Sequence, residues 1–316
     1  MAKKNELGRE KKKRHWSRDD SELTLLTVPT LVWFLLFSYV PMAGMIIAFK
    51  DFKIHGNFIQ SLFKSEWVGL KNFKFMVTSP DAWTALRNTL GYNIIFIVLG
   101  IVLPVALAIM INQIHGKRLA KTYQTAMFMP YFLSWVVVSS VVWAFLSYDK
   151  GIVNSWMTNN GGEPVQWYME KKYWPLFLIL LNLWKGIGNG MIIYLATISG
   201  IDPSYYEAAV IDGATKWQQT KYITLPSMKT VIVIMFILSV GNIFSSDFGL
   251  FYQVPRNSNS LFDVTYTIDV MVYTSLKSAT LGMASAAAFF QSVARCLMIL
   301  GANAIVKRID PDSAMI

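Results

Sequence analysis

Hydrophobic residues are gathered into six long segments that are separated by polar connections. Each segment is close to the roughly 20 residues that an α-helix needs to cross a bilayer core about 30 Å thick. Because lipid offers the backbone no hydrogen bonds, such segments cross a membrane as helices. The six predicted spans are residues 23–48, 88–111, 122–147, 173–201, 230–246 and 278–306.

The composition agrees with this pattern. Hydrophobic residues make up 54% of the 316-residue chain, charged residues make up 15%, and the mean hydropathy is +0.39. The second, third and fifth segments contain no charged residue, while Lys185 and Arg295 are the only charged residues of the fourth and sixth. These observations predict an all-α integral membrane protein with six transmembrane helices.

The basic residues are distributed unequally between the two sets of connections. One side, made of residues 1–22, 113–121, 202–229 and 307–316, holds 16 Lys and Arg in 69 residues, whereas the other side holds 11 in 94. The positive-inside rule therefore predicts that both termini face the cytoplasm. The basic tail, residues 1–22, directly precedes the first span, so it is interpreted as a contact with anionic lipid and not as a nucleic-acid site.

The connection between the fourth and fifth spans has its own helical signals. Asp202 followed by Pro203 is typical of a helix start, with a carboxylate at the N-cap and proline at the first helical position. Gly213 permits the left-handed conformation that ends a helix and reverses the chain. A second short helix is predicted over 215–222, and Pro226 is predicted to open the next membrane helix.

The chain carries no recognisable catalytic or cofactor motif. It lacks the Gly-x4-Gly-Lys-[Ser/Thr] phosphate loop, and its three histidines have no metal-ligand spacing. The glycines of 186–190 lie within an apolar segment without a preceding strand, which favours close helix packing over nucleotide binding. Cys296 is the only cysteine, so no disulfide can form within the chain. We expect no cofactor to be bound by this chain.

The connection also contains a spaced motif. Glu207-Ala208-Ala209 is followed after three residues by Gly213, and after nine more by Ile-Thr-Leu-Pro at 223–226. This resembles the EAA loop of binding-protein-dependent ABC import permeases, the cytoplasmic segment that docks onto the ATPase subunit. The coupling residues that the resemblance implies are Glu207, Ala208, Ala209, Asp212, Gly213, Ile223, Leu225 and Pro226.

Further stretches are similar to carbohydrate-uptake permeases of the maltose-transporter class, and within it to the polysaccharide and oligosaccharide branch. Three of them are short motifs: Trp-Lys-Gly-x-Gly at 184–188, Gly-Ile-Asp-Pro at 200–203 and Ser-Val-Gly-Asn-Ile-Phe at 239–244. The others are residues 67–73, residues 262–273, residues 285–293 and the tail at 310–314.

The resemblance implies the following assembly. The chain would be one of two non-identical permease subunits that sit on an ATPase dimer and receive an oligosaccharide from an extracellular binding protein. ATP and Mg would bind to the partner ATPase. This chain would contact membrane lipid and the oligosaccharide, and it would bind no nucleic acid. The chain would cross a bacterial cell membrane several times.

The domain organisation follows from these predictions. A basic cytoplasmic tail (1–22) precedes the six-helix permease domain (23–306), and a short cytoplasmic tail (307–316) follows it. Within the permease domain, external loops are expected at about 49–87, 149–172 and 247–277, and the coupling loop at 202–226.

Sugars are bound by aromatic faces together with amides and hydroxyls. The fourth and fifth spans offer this mixture, and the path candidates are Trp184, Lys185, Asn189, Tyr194, Asn242 and Phe244. Two structural alternatives stay open: Lys185 could extend its stem to the outer interface, and Asn242 could hydrogen-bond across helices.

Two other functions remain possible from the residues alone. The first is a secondary transporter or channel that works alone, which is disfavoured because the sequence shows no inverted repeat, broken-helix pair or intramembrane acidic residue. The second is a membrane-embedded enzyme or sensor scaffold, for which no catalytic arrangement is visible.

Overall fold

The computed structural model of the chain describes residues 17–278 and 281–309. Of the described residues, those up to Ile46 form one compact unit and those from Ile47 onward form a second. Residues 1–16 of the predicted tail 1–22, residues 310–316 of the predicted tail 307–316, and the tail motif at 310–314 lie outside the described residues. The first unit is helical, with Ser17 as N-cap, and its elements are α1 (Arg18–Phe34), a π-helical turn (Leu35–Tyr39), α2 (Val40–Met42) and the first part of a 3-10 helix (Ala43–Phe49).

The described part of the second unit is mainly helical, and it contains a two-stranded sheet in which β1 (Lys50–Asp51) pairs antiparallel with β2 (Glu66–Trp67). Its α-helices are α3 (Phe58–Lys64), α4 (Lys71–Thr78), α5 (Pro80–Asn112), α6 (Lys117–Phe128), α7 (Trp135–Leu146), α8 (Ile152–Asn159), α9 (Trp174–Ser199), α10 (Pro203–Ile211), α11 (Lys216–Gln219), α12 (Leu225–Gly241), α13 (Phe262–Thr265), α14 (Ile268–Lys277) and α15 (Leu281–Ile309). Its 3-10 and π-helical turns are Met129–Phe132, Lys171–Tyr173, Thr220–Thr224, Gly249–Gln253 and Asn259–Leu261.

The predicted all-α membrane fold is confirmed. Among the described residues, five helices are long and apolar enough to cross a bilayer, and a bent pair supplies a sixth span. The five are Arg18–Phe49, Pro80–Asn112, Lys171–Ser199, Lys216–Gly241 and Leu281–Arg308.

The third span is not the continuous helix that the sequence predicts. It consists of Lys117–Phe132 and Trp135–Leu146, which meet at an angle of 97°. Pro130 lies in the 3-10 turn before the break, and the Ser134 side chain caps the second half by accepting from the Val137 N–H. The expectation that the chain contains no broken helix pair is therefore wrong.

The helix that contains the fifth span begins before the predicted span. Pro226 lies in the first turn of α12, as predicted, but α12 is continuous with the residues before it, because a helical rod runs from Lys216 to Gly241 through the π-helical turn Thr220–Thr224. Proline has no N–H and crowds the preceding turn, and a π-helical turn is one of the irregularities that accommodate such a break in the hydrogen-bond ladder.

The core of the second unit is built on α5 and α9. Near the end of α9 closer to α10, Tyr194 and Ile198 pack with Val105 of α5 and Met228 of α12. Near the other end of α9, Trp174 and Leu178 pack with Tyr92 of α5. Glycine allows the closest approaches: a Cβ on Gly188 would overlap the backbone of Met127, and one on Gly190 would lie 3.1 Å from Cγ of Pro104. The prediction that this glycine run serves helix packing is confirmed at both positions.

The segment 247–277 is folded into this core. Leu250, Phe251, Val254 and Leu261 are buried with Trp174, and Val270 of α14 joins the same cluster. The sequence predicts an external loop over this segment. The polar backbone of the segment is satisfied in short helical turns, such as the π-helical Gly249–Gln253.

Candidate functional site

The connection between the fourth and fifth spans folds as predicted into a short capped helix, α10. The Asp202 Oδ1 atom accepts a hydrogen bond of 2.9 Å from the Ser204 N–H, and Pro203 occupies the first turn. This backbone hydrogen bond lowers the pKa of the Asp202 carboxyl below its usual value. The carboxylate therefore stays charged at the positive end of the helix dipole.

The other end of α10 is closed by a Schellman motif. Gly213 has a φ of +75°, and its N–H donates to the Val210 carbonyl at 3.1 Å. The Ala214 N–H reaches back to the Ala209 carbonyl at 2.8 Å. Only glycine adopts this left-handed position without a steric cost, so Gly213 sets where the helix stops and the chain turns back.

The tip of α10 is apolar and exposed. Ile211 is 86% exposed and Val210 is 60% exposed. Glu207 and Ala208 are also exposed, whereas Ala209 is half-buried. Glu207 forms no salt bridge within residues 17–278 and 281–309. A projecting helix with bare apolar residues and one unpaired carboxylate is a surface that fits a partner protein.

Hydrogen bonds connect α10 to the spans behind it. The hydroxyls of Tyr206 and Thr224 lie 2.9 Å apart, and Gln113 at the end of α5 donates to the Thr220 hydroxyl at 3.1 Å. A cavity of about 560 Å³ lies between α10, the end of α5 and the π-helical turn. The Tyr206–Thr224 contact therefore links α10 to the helix of the fifth span, and the Gln113–Thr220 bond links that helix to the end of α5.

The predicted coupling residues divide into two groups. Glu207, Ala208, Ala209, Asp212 and Gly213 belong to α10 or its cap. Ile223, Leu225 and Pro226 lie on the rod of the fifth span, where Leu225 packs against the buried core.

The break in the third span is held by Lys185 of α9. The Lys185 Nζ atom donates to the Tyr131 carbonyl at 3.0 Å and lies 5.3 Å and 5.2 Å from the ring centroids of Tyr131 and Trp135. The lysine side chain is therefore directed at the broken segment. A backbone carbonyl freed by a helix break is a natural partner for an ammonium group inside a membrane.

Trp135 also connects the break to the segment after α12. Its indole N–H donates to Asp247 Oδ2 at 2.6 Å, while Asp247 Oδ1 accepts from the backbone N–H groups of Gly249 and Leu250 at 2.9 and 3.3 Å. A Cβ on Gly249 would overlap the Trp135 ring. The indole is thus fixed in orientation by residues from a distant part of the chain.

A polar cleft of about 570 Å³ lies where α5, α9 and the end of α12 meet. Three asparagines contribute to its lining: Asn93, Asn182 and Asn242. Asn93 donates across helices to the carbonyls of Ile243 and Ser245, at 2.8 and 2.7 Å. Asn242 is exposed and donates to the Leu238 carbonyl of its own helix at 3.0 Å, so its amide is not used to join two helices.

The structure brings only some of the predicted path residues together. Asn242 lines the cleft, and Lys185 lies one turn along α9 from Asn182, which also lines it. Trp184 borders an apolar groove with Phe177 and Leu180.

The remaining predicted path residues lie elsewhere in the bundle. Tyr194 is buried in the core, and Phe244 packs at 6.0 Å against Phe290 in an edge-to-face pair. Asn189 is half-buried on α9.

Sequence reasoning missed Asn93, Asn182, Trp135 and Asp247. The two asparagines carried a usable signal, because an amide inside an apolar segment needs a polar partner. Trp135 and Asp247 carried none, because their pairing joins positions 112 residues apart. Within the described ranges, no group of three or more His, Cys, Asp or Glu residues could hold a metal ion.

A helical membrane protein that exposes a capped helix between its fourth and fifth spans has the architecture of an ABC importer permease. Residues 97–311 match the family described as binding-protein-dependent transport system inner membrane component, and this chain belongs to that family. It is therefore a multi-pass permease subunit of an ABC importer and not an enzyme; in such importers the ATPase is a separate subunit.

The chain is similar to several characterised relatives. It is 34% identical to the polygalacturonan/rhamnogalacturonan transport system permease protein YteP of Bacillus subtilis, over 90% of this chain and 88% of YteP. It is 32% identical to protein LplB of the same organism, over 93% and 91% of the two chains. A crystal structure of a bacterial ABC transporter that imports the acidic polysaccharide alginate contains a chain that superposes with a TM-score of 0.82 at 31% identity, covering 92% of this chain and 97% of that one.

Family membership decides between the functions left open by the sequence. A secondary transporter that works alone is excluded, although the broken third span is a feature that such proteins also use. The break is instead a property of this permease, held by Lys185 and Trp135.

Proposed function

We propose that this chain is one of two non-identical permease subunits of an ATP-driven oligosaccharide importer and forms half of its translocation path. The observation that carries the proposal is the exposed, doubly capped helix α10 in a chain of this family. Relatives named for polygalacturonan/rhamnogalacturonan and for arabinooligosaccharides support a sugar substrate. A solved relative in complex with an alginate-pentasaccharide-bound periplasmic protein supports delivery by an extracellular binding protein.

The proposed coupling mechanism uses α10 as a lever. Its exposed Ile211 and Val210 would enter an apolar groove of the cytoplasmic ATPase, and the Glu207 carboxylate would meet a donor at the rim. ATP and Mg bind to the ATPase dimer in this account. Closure of that dimer would push α10, and the contacts of Tyr206 with Thr224 would carry the movement to the fifth span. The proposal therefore requires that the purified chain alone neither moves sugar nor hydrolyses ATP.

We further propose that both termini and α10 face the cytoplasm of a bacterial cell, because basic residues are concentrated on that side. Single cysteines at Asn160 and Ser227, both exposed, provide the test in a Cys296→Ala background. An impermeant thiol reagent added to intact cells should label the cysteine at 160 and leave the one at 227 unlabelled until the membrane is opened. The reverse pattern would contradict this orientation.

The polar cleft is the proposed sugar path in this subunit. Asn242→Ala should lower oligosaccharide uptake or change the preferred oligosaccharide, because its amide faces the cleft and holds no other helix. Basal ATP hydrolysis should stay unchanged and stability should change by no more than about 0.5 kcal/mol. Radiolabelled uptake and thermal unfolding of the assembled transporter measure both.

Asn93→Ala is the matched comparison. It removes two hydrogen bonds to the backbone of the segment after α12, and leaving those carbonyls without a donor should cost about 1–3 kcal/mol. If Asn242→Ala unfolds as early as Asn93→Ala, or transports normally with the same preference, Asn242 belongs to the scaffold and the path assignment is wrong.

A further inference from the structure

A groove of about 630 Å³ lies between the later half of α5 and the rod of the fifth span. On α5 its lining extends from Ile101 to Gln113, which is about 18 Å along the helix axis. The predicted span on α5 is 88–111, so Ile101 lies near the middle of the membrane and Gln113 lies at its edge. Half of a hydrocarbon core that is about 30 Å thick measures about 15 Å. The groove therefore follows a single leaflet of the bilayer.

The walls of the groove are apolar and its mouth is open. Val102 and Met110 of α5 line it and are 56% and 63% exposed. Ala106, which is also exposed, lies between them, and its small side chain leaves room for a ligand. An apolar cavity holds hydrocarbon in preference to water, because water would find no polar partners there. A transmembrane helix of another subunit would cross both leaflets and would need a longer groove.

The end of the groove next to Gln113 carries a positive charge. Among the described residues that line the groove, Lys216 is the only charged one. Its Nζ atom donates to the Gln219 Oε1 atom in a long hydrogen bond of 3.4 Å. An ammonium group has three N–H donors, so this contact leaves capacity for an anion. Glu207 lines the neighbouring cavity together with Lys216, but no salt bridge within residues 17–278 and 281–309 joins them.

The other side chains at this end are typical of a membrane interface. Trp217 lines the groove and is 70% exposed, and tryptophan is enriched at the level of the lipid headgroups. The Gln113 amide donates to the Thr220 hydroxyl at 3.1 Å, which joins the two walls of the groove. Hydrocarbon walls along one leaflet, with a cation at headgroup level, match the shape and charge of an anionic lipid.

We propose that this groove binds an anionic phospholipid of the cytoplasmic leaflet, with an acyl chain between α5 and the rod and the phosphate at Lys216. The inference goes beyond the proposed function and takes from it only the orientation of the chain. A zwitterionic lipid carries its own cation, so Lys216 favours a lipid with a net negative charge. Because Lys216 also lines the cavity beside α10, the bound headgroup lies next to the contacts that join α10 to the fifth span.

Lipid binding is tested by native mass spectrometry of the complete transporter in detergent, titrated with palmitoyl-oleoyl phosphatidylglycerol or palmitoyl-oleoyl phosphatidylcholine. Wild type should bind phosphatidylglycerol more tightly. K216Q should bind it about fivefold more weakly, since one lysine near a lipid surface contributes about 1 kcal/mol. K216R should keep the wild-type affinity, because arginine retains the charge and pairs well with phosphate.

Lys121→Gln is the matched control for the loss of charge, because Lys121 is exposed on α6 and does not line the groove. It should bind phosphatidylglycerol as wild type does. A melting temperature equal to wild type, measured before lipid is added, shows that K216Q is folded.

Ala106→Trp tests the hydrocarbon part of the site. Its indole would fill the groove, and phosphatidylglycerol binding should fall at least about tenfold, because burial of several CH₂ groups of the acyl chain is lost. Val98→Trp is the matched control, because Val98 is also exposed on α5 but lies outside the groove. It should leave lipid binding unchanged.

Three results would overturn the inference. They are equal affinity of wild type for the two lipids, unchanged phosphatidylglycerol binding in K216Q and Ala106→Trp, and loss of the second permease subunit from the Ala106→Trp complex. The last result would show that a helix of that subunit occupies the groove. None of these measurements depends on sugar import, so the proposed function can fail or hold independently. Reversed cysteine labelling would contradict the assignment to the cytoplasmic leaflet.

Discussion

Gly188→Ala is expected to destabilise the assembled transporter, whereas Gly186→Ala on the same helix is expected to be neutral or stabilising. A Cβ on Gly188 would overlap the Met127 carbonyl and lie 2.7 Å from the Phe128 Cα. Both contacts are backbone, so α6 would have to move away from α9. Overpacking of this kind costs about 1–3 kcal/mol.

Gly186 supplies the matched comparison. Apart from the adjacent residues and backbone of its own helix, no atom lies within 4 Å of the Cβ that alanine would add there, and alanine is favoured over glycine in a helix by up to about 1 kcal/mol. Thermal unfolding of the purified transporter, followed by tryptophan fluorescence, should show a lower melting temperature for Gly188→Ala only. Equal melting temperatures for the two variants would contradict the close packing of α6 on α9.

Gly213→Val and Ala209→Trp are expected to abolish transport. Valine is β-branched and strongly disfavours the φ of +75° at Gly213, so the Schellman motif would open and α10 would lose its direction. No neighbouring atom lies within 4 Å of a Cβ at Gly213, so the effect comes from the backbone conformation and not from a clash. At Ala209, which is half-buried, an indole would displace α10 from the elements behind it or block its docking surface.

The measurement for both variants is ATP hydrolysis with and without sugar-loaded binding protein, together with uptake. We expect the ATPase either to be lost from the purified complex or to hydrolyse ATP at a rate that the binding protein no longer stimulates. Gly213→Asn is the control, because asparagine tolerates the left-handed conformation and should retain much of the activity. Normal stimulation and uptake in the valine and tryptophan variants would mean that α10 is not the coupling element.

The features that the sequence predicts correctly are set by local interactions. Apolar runs long enough for a bilayer give the spans, and α10 is defined within a dozen residues by the Asp202 cap and the Gly213 turn. Each of these signals acts over one or two helical turns, so it can be recognised without knowing the tertiary structure.

The features that sequence reasoning missed depend on distant residues. Pro130 alone does not predict a 97° break, since proline is tolerated within membrane helices. The break is held by Lys185, 54 residues after the carbonyl it binds, and by the pairing of Trp135 with Asp247. Similarly, Phe251 of the predicted external loop 247–277 is buried against Trp174, a contact between distant positions that the sequence does not show.

In the candidate site, too, the residues that the sequence predicts depend on local signals and the missed ones depend on distant contacts. The coupling residues are consecutive or nearly so, and a spaced motif identifies them. The cleft combines side chains of α5, α9 and the end of α12, which are far apart in the sequence. Asn242 is among the residues that the sequence predicts for the path, whereas Asn93 and Asn182 are not.

The most direct test of the central claim is ATP-driven uptake of labelled oligosaccharide by proteoliposomes that contain this chain. Alone, the chain should give neither uptake nor ATP turnover. Both should appear only when the ATPase, the second permease subunit and the sugar-loaded binding protein are all present. Uptake by the chain alone, without ATP, would contradict the account, as would a complete complex that hydrolyses ATP in response to the loaded binding protein but imports no sugar.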